Sequence, residues 1–134
     1  MEGVTYQSLG NALKALRVAE DELSRPVEDV VTACSCQFTR IALNGFLRTF
    51  LLHVQPPVDP ALNSDELLAL CSKVDPGFSS VNLSSFACRN QPGEAGVDKM
   101  YCLHVDKVNE CLNTTRTIKD LVLARLQVSE IDIL

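Results

Sequence analysis

From Pro26 to Val54 the chain is nearly free of charge, and this constrains its fold more than any other feature. Beyond Glu28 and Asp29 the only charged side chains are Arg40 and Arg48, with His53 near the end. The spacing predicts one long helix, because Pro26 suits a first helical turn and the two carboxylates favour its positive end. A surface helix carries one apolar stripe and is polar elsewhere. Here Val30, Val31, Ala33, Cys34, Cys36, Phe38, Ile41, Ala42, Leu43, Phe46, Leu47, Phe50, Leu51 and Leu52 occupy most of the circumference. Such a rod needs cover on several sides, from its own bundle and from a second subunit. Assembly is therefore the first function the sequence implies, with Cys36, Phe38, Leu43, Phe46, Leu47 and Phe50 as the expected dimer interface.

The remaining segments read as helices around that rod. Leu9, Leu13, Leu16, Ala19 and Leu23 recur at three- and four-residue steps, which predicts a first helix over about Gln7–Ser24. Glu20, Asp21 and Glu22 lie on its wet side. Gln55-Pro56-Pro57-Val58-Asp59-Pro60 ends the apolar helix, and Ser64 reads as the cap of a short helix through Val74. Asp75-Pro76-Gly77 stops it. Residues 78–88 are ambiguous, with a helical turn expected near Ser84, and residues 89–96 read as loop. A last long helix spans about Val97–Gln127, its stripe set by Tyr101, His104, Val108, Cys111, Thr115, Ile118 and Val122. Gly45 marks a close helix contact. The expectation is a single all-α domain over residues 1–134, an up-and-down helical bundle of three long helices plus one or two short ones. Residues 1–6 and 128–134 are left as flexible or partner-docking tails.

A chain of 134 residues buries a core without staples. Its net charge of −5 disfavours an electrostatic grip on nucleic acid. No signal peptide or membrane span is visible, and Arg40 and Arg48 make spanning costly, so a cytoplasmic, intracellular setting is expected. The six cysteines admit two readings. They are reduced thiols packed as small hydrophobes, or they staple a secreted carrier of apolar ligands, since Cys102-x8-Cys111 faintly resembles insect odorant-binding proteins. The remaining spacing of those carriers is missing. Cys34 and Cys36 point about 200° apart on one helix and cannot bond each other. No Cys-x2-Cys or paired His suggests zinc, so no metal and no cofactor are expected. The triplets Asn82-Leu83-Ser84 and Asn113-Thr114-Thr115 are sequons of the kind that arise by chance.

The helix ACSCQFTRIALNGFLRTFLL, the loop with Pro56, Pro57 and Pro60, and then SDELLALCSKV give an order of elements that resembles the HEPN superfamily of small α-helical bundles. The resemblance covers most of the chain at the level of pattern. It implies a two-fold dimer and either a metal-independent ribonuclease of toxin–antitoxin or defence systems, or a non-catalytic relative. Such relatives partner a minimal nucleotidyltransferase or bind nucleotides. HEPN nucleases carry Arg-x4–6-His near the start of the last long helix. Here Lys99-Met100-Tyr101-Cys102-Leu103-His104 keeps that spacing with Lys for Arg, and a lysine lacks the bidentate fork. Lys99 and His104 are thus the weak catalytic candidates, and His104, on the apolar stripe of the last helix, reads more readily as a core histidine with one satisfied nitrogen. Arg48-Thr49-Phe50-Leu51-Leu52-His53 has the spacing at the wrong helix end. Arg40, Arg48 and His53 are the binding candidates, the arginines either lining a cleft or snorkelling toward Asp106, Glu110 or Asp120. The expected function is a degenerate, non-catalytic HEPN-like homodimer for protein interaction or nucleotide recognition, with the ribonuclease and the carrier as alternatives.

Overall fold

The computed structural model describes residues 3–26, 32–86 and 105–130. Four α-helices form the fold: α1 (Gly3–Leu23), α2 (Thr32–Val54), α3 (Ser64–Val74) and α4 (Val105–Leu126), with a 3-10 turn at Pro76–Ser80 between α3 and α4. No strand occurs among the described residues, so the chain is all-α. Nor is any helix among them long and apolar enough to cross a membrane.

The apolar character of α2 is used mostly within the chain. Ala42, Leu43, Phe46, Leu47, Phe50 and Leu51 are buried in one continuous core with Leu9, Leu13 and Leu16 of α1, Leu67 and Cys71 of α3, and Leu112, Ile118 and Val122 of α4. At about 100° per residue these α2 positions, with Ser35, Cys36, Thr39 and Thr49, sweep an arc of about 200°. Buried hydroxyls within that arc are all bonded. Thr39 and Thr49 donate to the carbonyls of Ser35 and Gly45 one turn earlier, and Ser35 donates to the Ala19 carbonyl at 3.0 Å. That satisfaction is what lets polar residues sit inside a greasy helix.

Antiparallel packing of α1 on α2 rests on small side chains. A Cβ built on Gly45 would lie 2.8 Å from the Ala12 Cβ, so the backbones approach as closely as glycine allows. Ser8 and Thr49 share a hydroxyl bond of 2.7 Å across the same seam. The close contact expected at Gly45 is therefore present, with Ala12 as its partner.

Several boundaries differ from expectation. α1 begins at Gly3 rather than Gln7, and Thr5 is 1% exposed in its first turn, because that turn continues the α1 seam along α2. Asn63, not Ser64, caps α3: its side chain accepts the Glu66 N–H while the Glu66 carboxylate accepts the Asn63 N–H. This reciprocal box frees the Ser64 hydroxyl to donate to Asn44 of α2 at 2.5 Å. Pro26 stands outside the helix, and residues 27–31, 87–104 and 131–134 lie outside the described residues. The predicted start of the last helix at Val97 falls among these. α4 ends on Gln127 at φ 60°, with the Gln127 N–H bonded to Ala124 O and the Val128 N–H to Leu123 O. This is a left-handed helix stop that satisfies the last carbonyls. It lays Val128 on the core, and Glu130 follows within 3.4 Å of Lys119.

Candidate interaction surface

The arc of α2 outside the core carries Ile41, with the half-buried Cys34 and Leu52 beside it. Ile41 is 47% exposed at its centre. Beside it on α1 stands Val4, 55% exposed. Between the two helices runs a groove of about 290 Å3, lined by Val4, Gln7, Ser8, Asn11 and Ala12 of α1 and by Ile41, Gly45 and Leu52 of α2. Ala12 and Gly45, in close contact with each other, both line it. None of the eight lining residues is ionisable. Aliphatic rims over a small-residue floor form the kind of depression into which the side chains of another helix fit.

The dimer interface expected from the sequence lies elsewhere. Cys36, Leu43, Phe46, Leu47 and Phe50 are between 0 and 3% exposed within the chain's own bundle, and Phe38 packs against the same core from its edge. α1, α3 and α4 together cover the part of α2 that was assigned to a twin. What stays open is the opposite arc, centred on Ile41.

The binding candidates are also turned to structural use. Arg40 donates to the Phe86 carbonyl at 2.6 Å and lies over the Phe86 ring, 5.1 Å from its centroid. Arg48 donates to the carbonyls of Asp59, Pro60 and Leu62 at 3.1, 3.2 and 2.8 Å. Backbone oxygens, rather than the expected Asp106, Glu110 or Asp120, receive both guanidinium groups. The Pro-rich loop is short of N–H donors to bond its own carbonyls, which is why a five-donor side chain beneath it is effective. His53 is exposed near the end of α2 and is not brought to either arginine's contacts. Lys99 and His104 lie outside the described residues.

A second cleft, of about 380 Å3, lies under the loop that Arg48 holds, between Leu51, Pro56, Pro57, Val58, Leu62 and Leu70, with Gln55 and Asp59 also lining it. Among the described residues no three His, Cys, Asp or Glu side chains gather as a metal site would need. Cys34, Cys36 and Cys71 are free thiols. Burial pushes the Cys71 thiol up to about 12, and its Sγ lies 3.6 Å from the Leu47 carbonyl, so it packs as an inert small hydrophobe.

Sequence reasoning did not single out Val4, Asn11 or the exposure of Ile41. A signal for them was present: Val4, Asn11 and Val18 recur every seven residues on α1, a stripe separate from the buried one. No family model matches this chain, and neither a curated protein nor a solved structure does.

Proposed function

We propose that the chain is a non-catalytic, HEPN-like helical module that works by protein–protein contact, with a homodimer as its basic unit. The observation that carries this reading is the α1/α2 groove, a neutral surface to which Val4, Ile41 and Leu52 contribute aliphatic side chains. Protein contact is favoured over nucleotide recognition because Arg40 and Arg48, the cations assigned to a phosphate, are spent on backbone carbonyls. The free thiols of Cys34, Cys36 and Cys71 fit a reducing, intracellular setting. Light scattering on the purified chain at tens of micromolar tests the reading. The expected mass is twice the 14.7 kDa of one copy. A mass of one copy across that range overturns it.

A further inference from the structure

We infer that the cleft under the proline loop binds a small organic cation, an ammonium head carried on a compact apolar body. The inference goes beyond the protein-contact reading above and concerns a different place on the molecule.

The walls fit the apolar body. The cleft has a volume of about 380 Å3, near the lower end of the roughly 300–1,000 Å3 of small-molecule sites. Leu51, Val58, Leu62 and Leu70 supply its aliphatic side, and all four belong to or pack on the core. Leu51 is 2% exposed and the other three are half-buried, whereas Gln55 and Asp59 are exposed. A hydrocarbon body is thus taken out of water while its polar head stays at the wet rim.

The cleft also has its shape before anything binds. Arg48 donates to the carbonyls of Asp59, Pro60 and Leu62, and the Ala61 N–H donates to Asp59 Oδ1 at 2.8 Å. A loop already ordered costs little further entropy on binding.

The rim selects the head group, because it is rich in acceptors and short of donors. Pro56, Pro57 and Pro60 have no N–H. The N–H groups of Ala61 and Leu62 are already given to Asp59, to its side chain and its carbonyl. Pro56 and Pro57 follow Leu52 and His53 by four residues and have no N–H to give those carbonyls. The negative end of a 23-residue helix is therefore left open next to the cleft. Asp59 is the one ionisable group among the eight lining residues. Its Oδ1 takes the Ala61 N–H, and its Oδ2 has no protein partner among the described residues. Arg48 and His53 do not fill that place. Arg48 has its donors on main-chain oxygens, and neither residue lines the cleft.

An ammonium is the complement of such a rim, with three donors and no acceptor. A carboxylate or phosphate head would meet acceptors and a charge of its own sign. An extended peptide needs donors and acceptors alternating along the edge it pairs with, which a segment with three prolines does not offer. The occupant is hence a free small amine.

Three probes with one seven-carbon skeleton test this on the whole chain: cyclohexylmethylamine, cyclohexylmethanol and cyclohexanecarboxylate. Each is titrated into isotope-labelled protein and followed by the amide shifts, at about pH 8 to stay above the ordinary histidine range. The amine is expected to bind with a dissociation constant of roughly 1 mM, the scale for so small a molecule. Its shifts are expected around Val58, Leu62 and Leu70. The alcohol is expected to bind about threefold more weakly and the carboxylate about tenfold, since an exposed ion pair supplies a modest factor. Asp59→Asn keeps an acceptor for the Ala61 N–H and removes only the charge. In that variant the alcohol is expected to bind as before, and the amine to lose most of its advantage over it. No saturable shift from the amine up to about 20 mM, well above that scale, overturns the inference. So does an alcohol that binds as well as the amine, or an amine preference unchanged in Asp59→Asn. Shifts centred on Val4 and Ile41 instead would move the site to the α1/α2 groove and overturn the assignment to this cleft.

Discussion

Gly45 shows how one missing side chain sets the distance between two helices. In an exposed helix, replacing glycine by alanine gains about 1 kcal/mol. Here the added Cβ would stand 2.8 Å from the Ala12 Cβ, which neither backbone can relieve by a rotamer change. Overpacking of this kind costs about 1–3 kcal/mol, so Gly45→Ala is expected to lower the stability read by urea unfolding. Adding Ala12→Gly to the same chain removes the colliding atom and is expected to recover part of the loss. A stabilised single variant would contradict the close seam. The sequence marked Gly45 as a contact point, since a glycine amid good helix formers needs a reason. It did not reveal Ala12 as the other party, because α1 offers Ala12, Ala15 and Ala19 on neighbouring positions and only the tertiary register chooses among them.

At the level of elements, α2 through α3 was the most legible part. The apolar run, the proline cluster and the Asp-Glu pair at the start of α3 each have a local physical cause, and the α3 end at Val74 matched while its cap fell one residue earlier, on Asn63. The roles of Arg40 and Arg48 were not legible. Charge on an apolar helix suggests an acidic partner, but a sequence does not show that the loop after Pro56 and Pro57 turns the carbonyls of Asp59, Pro60 and Leu62 toward Arg48. Arg48 meets all three from the middle of α2. Arg48→Met keeps the stem and removes the donors, with an expected loss of about 1–3 kcal/mol from hydrogen bonds to a charged group that are partly open to water. Hydrogen exchange should show the amides of residues 58–62 losing protection before the rest. Arg48→Lys is expected to behave like Arg48→Met, because one ammonium does not span three separated acceptors. Full protection in Arg48→Lys would show that charge alone holds the loop.

For the whole molecule, the contacts that close the bundle among the described residues are chiefly apolar, with two ion pairs binding distant parts of the chain. Arg116 of α4 holds Glu20 of α1 at 2.7 Å, and Arg125 near the end of α4 holds Asp75 at the start of the 3-10 turn. The first pair is well exposed, so it contributes at most about 1 kcal/mol and fades in salt. The second gives stability a definite response to acid. The Arg125 hydrogen bond, then the Gly77 N–H, hold the Asp75 carboxyl below its ordinary value of 3.8. A folded-state value below the unfolded one means a contribution fully present above pH 3.8 and lost as pH falls through the folded value. Asp75→Asn is therefore expected to be less stable than the parent at pH 7, with the gap narrowing below about pH 4. A constant gap from pH 7 to pH 2 would remove Asp75 from the acid response.

The all-α architecture followed from periodicity alone, but the open face did not. Periodicity tells how apolar a helix is around its circumference; it does not tell which arc neighbouring helices will take. The sequence therefore supported an assembly yet put it on Leu43, Phe46 and Phe50, the residues the bundle itself claims.

One consequence reaches beyond this protein's own task. The loop after α2 takes its shape from Arg48 beneath it, through main-chain oxygens that any amino acid supplies. Its outward side chains are thus free to be rewritten at constant length without disturbing the anchor. Exchanges at the exposed positions 60 and 61, with Val58 kept on the core and Asp59 kept as acceptor of the Ala61 N–H, would be displayed in a fixed outline, which makes this corner of the bundle a natural grafting platform.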